Sequence, residues 1–177
     1  MRIFTCLMLA GLAAAPIAAT AQGMADHPAP QCAATPAPLP PELSGWATRS
    51  AITAATTPAG LKAATLTLGK GADATLGQTS GVTYVVRPEK PGGSVSYGGL
   101  FAFTVAKAGT YRVALGSGAW IDVLKGKTAS VSTAHGHGPD CTGVRKMVDF
   151  ALTPGKYVLQ VAANGSATLP LMVTAVK

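Results

Sequence analysis

Between residues 98 and 177 apolar side chains recur at every second position, in short runs separated by glycine or proline. Two of these runs match each other. One is Ala108-Gly109-Thr110-Tyr111-Arg112-Val113-Ala114-Leu115, the other Pro154-Gly155-Lys156-Tyr157-Val158-Leu159-Gln160-Val161. Strict alternation predicts half-buried strands, with one face on a core and the other toward water. In each run a glycine two residues ahead of the tyrosine supplies a turn that a residue with a Cβ would strain. The same pattern continues on either side. Phe101, Phe103 and Val105 share a face, Ile121 and Val123 oppose Trp120, Asp122 and Leu124, and Val148, Phe150 and Leu152 point inward. Residues 128–133 read as a short polar strand and 135–143 as a loop. Asn164-Gly165 is a two-residue hairpin signal, and 169–176 form the last strand. Upstream, 64–68 and 82–86 read as strands, with a turn at 69–71. Residues 88–99, which hold Pro88, Pro91 and four glycines, read as a long loop or bulged edge. Residues 50–57 are the one helix candidate, and their threonines and Ile52 suit a strand or loop equally well. Many short strands without intervening helices predict an all-β fold, an antiparallel β-sandwich or jelly-roll-like barrel over residues 46–177.

The rest of the chain leads up to that domain. Met1-Arg2 is a short basic start, residues 3–19 are apolar and uncharged, and Ala19-Thr20-Ala21 offers a small-x-small cleavage site. Residues 1–21 therefore read as a secretory signal peptide. An apolar run of about 17 residues also approaches the length of a membrane anchor; its Ala and Gly richness and the cleavage site behind it favour removal. Setting 21 residues aside from 177 leaves 156, enough for one domain with a real core. No later segment is long and apolar enough to span a membrane. Residues 22–45 form a Pro/Ala-rich arm, extended because proline fixes φ and lacks a donor. Leu43 and Trp46 are where the chain first meets the core, Trp46 as a packing plug.

Losing Arg2 lowers the formal charge from +7 to +6, spread thinly along the chain. The densest basic run, Lys125-Gly126-Lys127, is a weak footprint for nucleic acid, and export removes that partner class. Cleavage also removes Cys6 and leaves Cys32 and Cys141. In an oxidising compartment an isolated pair predicts a disulfide rather than a metal site, pinning the arm to the domain. The periplasm or the extracellular space is the expected location.

Phe101-x-Phe103-x-Val105, Gly109-Thr110-Tyr111, Trp120-Ile121-Asp122-Val123 and Phe150-x-Leu152-x-Pro154-Gly155-x-Tyr157-x-Leu159 together resemble the bacterial pre-peptidase C-terminal β-sandwich. The resemblance covers roughly residues 98–177. It implies a non-catalytic module of the kind exported enzymes carry as an accessory, here without a catalytic domain beside it.

Candidate chemistry is concentrated in His135-Gly136-His137-Gly138-Pro139-Asp140-Cys141. Two imidazoles flanking a glycine can face one metal ion, and Asp140 can add an oxygen; copper, zinc or iron would suit such a set. The competing reading is a solvated loop fixed at Cys141. The His-x-His pair also resembles, in part, the cupin motif of homogentisate 1,2-dioxygenase, but the glutamate and third histidine of that motif have no counterpart after His137. Other enzyme patterns fail. There is no Gly-x-Ser-x-Gly elbow, and Gly126-Lys127-Thr128 lacks the first glycine of a phosphate loop because position 121 is Ile121. Trp120 and Asp122, two apart on one strand, offer a surface for a sugar or an ion, against the alternative that Trp120 serves as packing. The reading with fewest conflicts is an exported binding or accessory protein with no catalytic residues and no cofactor, whose partner is an envelope polysaccharide or an envelope protein. A His135/His137 metal protein is the alternative.

Overall fold

A computed structural model of the protein describes Cys32 and residues 37–176, and the expected signal peptide and most of the expected arm lie outside the described residues. Eleven strands occur there: β1 (Arg49–Thr53), β2 (Gly71–Thr75), β3 (Gly77–Gln78), β4 (Tyr97–Val105), β5 (Gly109–Leu115), β6 (Trp120–Lys125), β7 (Thr128–Ala129), β8 (Ser132–Gly136), β9 (Lys146–Leu152), β10 (Gly155–Asn164) and β11 (Thr168–Ala175). They form two sheets. The six-stranded sheet has the order β1-β2-β11-β5-β9-β8, and the five-stranded sheet the order β3-β4-β10-β6-β7. Every pairing is antiparallel except β1 with β2. The fold is an all-β sandwich, as the alternation predicts. Among the described residues the helical segments are 3-10 turns.

The core lies between the sheets and follows the alternating positions. Phe101, Phe103 and Val105 of β4, Tyr157, Leu159 and Val161 of β10, and Ile121 and Val123 of β6 meet Tyr111, Val113 and Leu115 of β5, Val148, Phe150 and Leu152 of β9, and Leu169, Leu171 and Val173 of β11. Phe103 and Tyr157 sit opposite each other in register, with their rings stacked at 5.5 Å between centroids. Both repeated tyrosines turn the hydroxyl back to the chain four residues earlier. Tyr111 donates to the Lys107 carbonyl and Tyr157 to the Thr153 carbonyl, each at 2.9 Å. The two glycines are not equivalent, which corrects the sequence expectation. Gly155 has φ +147°, where side chains are excluded, whereas Gly109 has ordinary backbone and open space at its Cβ position.

A second apolar cluster covers the other face of the six-stranded sheet. The 3-10 turn Pro41–Ala47 lays Leu43 and Trp46 against Ala114, Val144 and Met172. Trp46 is buried, and its Nε1 donates to the Thr142 carbonyl at 3.0 Å. Cys32 and Cys141 are joined in a disulfide, 109 residues apart in sequence and 5.4 Å between Cα atoms.

Three local expectations need correction. Residues 82–86 are not a strand, because the side chain of Gln160 takes the place of a neighbouring strand. Its Oε1 accepts from Val85 N and Val86 N, and its Nε2 donates to the Val86 carbonyl. Residues 64–68 reach the sheet only through a single bridge from Thr65 to Ala102. Asn164-Gly165 is not a hairpin, since β10 and β11 belong to different sheets. Buried Asn164 instead builds a corner between them, accepting from Ser117 Oγ and donating to the Ser166 and Thr168 carbonyls.

Candidate functional site

The chain crosses from the five-stranded to the six-stranded sheet between β7 and β8, and the sandwich is open along that side. A cleft of about 170 Å³ lies there. Core residues Ile121, Val148 and Phe150 form its apolar floor, and Trp120, Asp122, His135 and Lys146 contribute its polar rim. A shallower furrow of about 390 Å³ shares His135 and Lys146 with the cleft, and Gly118, Gly136, His137 and Arg145 complete it. A larger depression, about 540 Å³, lies elsewhere, between the Pro41–Ala47 turn and Leu68-Gly69. Its one ionisable side chain, Glu42, is already bound by Arg112. Size alone therefore points away from the chemistry, and the cleft with its furrow is the better candidate.

Trp120 and Asp122 line the cleft from the edge of β6, with their side chains on the outer face of the five-stranded sheet. Trp120 and Asp122 are two apart on β6, so both project from the face opposite Ile121 and Val123. Trp120 Nε1 donates to Asp122 Oδ1 at 3.1 Å, and Gln160, in register with Asp122 on β10, offers Nε2 to Oδ2 at 3.4 Å. Burial raises the pKa of Asp122, the Trp120 and Gln160 hydrogen bonds hold it down in part, and the charge of Glu89 raises it further. Lys90 lies over the Trp120 ring, 5.4 Å from its centroid. Lys146, which opens β9, donates to the Ala119 carbonyl at 2.8 Å. Burial lowers its pKa, and the charge of Lys90 lowers it further.

His135 belongs to β8 rather than to a loop, paired with Val148, and its Nε2 approaches Ser132 Oγ at 3.5 Å. His137 lies just past the strand end. Its Nδ1 donates to the Arg145 carbonyl at 2.7 Å, which leaves Nε2 as the free ring nitrogen. The two imidazoles share the furrow, but Asp140 lines neither depression. Among the described residues no group of three or more His, Cys, Asp or Glu side chains is gathered to hold a metal.

Two polar features escape a reading of the sequence alone. Arg112 binds Asp149 through two parallel contacts of 2.7 and 2.8 Å and reaches Glu42 Oε1 at 2.9 Å. The Asp149 hydrogen bonds raise the Arg112 pKa against the opposing effect of burial. Gln160 is the other. Arg112 and Asp149 stand at outward positions of central strands, and only the β5–β9 register places them opposite each other. Arg145 and Lys146 likewise join the histidines only once β9 is paired with β8.

No protein-family model matches the chain, and no curated protein matches it. Among solved structures it is similar to the pre-peptidase C-terminal domain of a collagenase from Bacillus anthracis, at 16% identity and a TM-score of 0.36. The match covers 71% of this chain and 95% of that one. Nothing in these comparisons supports the partial likeness to homogentisate 1,2-dioxygenase. The fold assignment rests on the two sheets themselves: the described chain is an all-β sandwich with an open cleft between β6 and β8–β9.

Proposed function

We propose that the protein is an exported, non-catalytic binding module of the cell envelope that holds a carbohydrate or protein ligand in the cleft between β6 and β8–β9. One observation carries this reading. The cleft combines an apolar floor with polar groups from both sheets, and the Trp120 indole stands beside it on the outer face of β6, a mixture of the kind that fixes ligands in small binding sites. Trp120 offers a ring face for a sugar or an apolar side chain, and Asp122 and Lys146 offer an acceptor and a donor of opposite charge. The Cys32–Cys141 disulfide fits an oxidising compartment. Among the described residues no helix is long and apolar enough to cross a membrane. The test is a glycan array, together with titration against purified envelope polysaccharides, for the mature protein and a Trp120→Ala variant. Binding that the variant loses while its melting temperature holds supports the proposal; no binding to any glycan or purified envelope protein refutes it. N-terminal sequencing of protein recovered from the periplasm should start at Gln22.

A second reading rests on the shared furrow of His135 and His137, which would hold copper, zinc or iron with ligands beyond the protein completing the set. It requires about one equivalent of metal in protein purified without a tag, lost in a His135→Ala/His137→Ala variant.

A further inference from the structure

The furrow has a charge character that the cleft lacks. Four of its six lining residues are His135, His137, Arg145 and Lys146; the other two are Gly118 and Gly136, and no carboxylate is among them. Ion pairs elsewhere in the described residues engage two cations. Arg49 pairs with Asp73, and Arg112 with Asp149 and Glu42. Among the described residues neither Arg145 nor Lys146 has an ion pair. Lys146 is half-buried, so its ammonium has given up part of its hydration without gaining a counter-charge. Arg112 holds Asp149, Trp120 and Gln160 hold Asp122, and Asp140 lines neither depression.

The furrow is also preorganised. His137 and Arg145 are tied by the Nδ1 hydrogen bond, Gly138 N donates to the Val144 carbonyl, and Arg145 N donates to the Leu115 carbonyl. The disulfide closes the far end of the same loop at Cys141. A loop backbone braced in this way presents its positive side chains to an anion without the cost of ordering the loop first. A guanidinium favours a planar carboxylate, which it can hold through two parallel N–H bonds.

We propose that this furrow is a carboxylate subsite, and that the glycan bound in the adjoining cleft is an acidic polysaccharide of the uronate type. The inference rests on the binding-module reading and narrows its ligand. One sugar ring packs at Trp120, and the carboxylate of a neighbouring residue takes Arg145 and Lys146, with His135 between the two depressions because it lines both.

The test is calorimetric titration of the mature protein with a tetragalacturonate and with its fully methyl-esterified counterpart. The variants are Arg145→Met, Gly118→Leu and Trp120→Ala, each checked by melting temperature. A side chain at Gly118 points into open space, so its replacement blocks the furrow without altering charge or displacing a neighbour. The acid should bind at least about tenfold more tightly than the ester, a charge-assisted hydrogen bond being enough for that ratio. Both Arg145→Met and Gly118→Leu should erase the difference, and the preference should shrink as salt is raised. Equal affinity for acid and ester, or an unchanged preference in both furrow variants, overturns the subsite. If the ester then still binds through Trp120, the binding-module reading survives alone; if neither glycan binds, both proposals lose their glycan.

Discussion

Replacing Arg112 by methionine should be among the most damaging single changes in the domain outside its apolar core. The guanidinium holds two carboxylates at once: Asp149, in register on the neighbouring strand, and Glu42, on the 3-10 turn that covers the sheet. The side chains of Arg112, Glu42 and Asp149 are 17%, 18% and 12% exposed, so solvent screens the three charges only weakly. Methionine approximates the volume of the aliphatic stem but leaves Asp149 buried without a counter-ion. Breaking a buried pair on one side costs about 3–5 kcal/mol, and the residual exposure places this case near the lower end. At about 2–4 °C per kcal/mol for a chain of this size, the melting temperature should fall by roughly 6–12 °C. Asp149→Val should cost less, because Arg112 keeps Glu42 as its partner. The double variant should be milder than the sum of the two, because Asp149 is no longer left without a counter-ion and only Glu42 loses its cation. Thermal and urea unfolding of all four proteins with the disulfide intact measures the coupling directly. Additive effects, or a loss below about 1 kcal/mol for Arg112→Met, the range of exposed pairs, would refute the claim that this triad fastens the turn to the sheet.

Other consequences follow from particular residues. Gly155→Ala should destabilise by about 1–3 kcal/mol, because φ +147° excludes a side chain, whereas Gly109→Ala should be nearly neutral; comparing the two midpoints checks the asymmetry. Removing the disulfide as Cys32→Ala/Cys141→Ala opens a 109-residue loop, for which loop-closure entropy sets a loss of about 4–5 kcal/mol as an upper bound. Trp46 bonds the Thr142 carbonyl beside Cys141, so its fluorescence should report that change. Asp122 has its pKa raised on folding, so the folded state keeps this proton to higher pH than the unfolded chain does. Its contribution to stability is therefore greatest below the ordinary Asp range and declines as pH rises through that range toward the raised value. Asp122→Asn should flatten this dependence, seen as a smaller difference in melting temperature between acidic and neutral pH.

The sandwich was legible because alternation is a local signal. Phe101, Phe103 and Val105 or Tyr157, Leu159 and Val161 declare their buried face without knowledge of their partners. What escaped depends on pairing across long stretches of chain. The apolar, β-branched character of residues 82–86 suggests a strand, yet one distant amide, Gln160, satisfies their backbone and keeps them a loop. Asn164-Gly165 has hairpin chemistry, but the choice between turning within a sheet and crossing to the other is made by the pairing of β10 with β4 and β6. At the candidate site, Trp120, Asp122 and the histidines were visible as residue types at suggestive spacings. Lys146 and Arg145 were not, because they belong to the furrow only through the β8–β9 register. Asp140 shows the converse: close to His137 in sequence, it lines neither depression.

The central claim is that the open side of the sandwich is a ligand site, and amide chemical-shift mapping tests it most directly. Isotope-labelled mature protein would be titrated with the tetragalacturonate and its methyl ester. The account predicts saturable shifts centred on Gly118, Trp120, Asp122, His135, His137, Arg145 and Lys146, with the acid reaching the furrow residues and the ester confined to the cleft. Saturable shifts centred instead on the β1–β2 edge or on the Pro41–Ala47 turn, or no shifts at millimolar ligand, would contradict it.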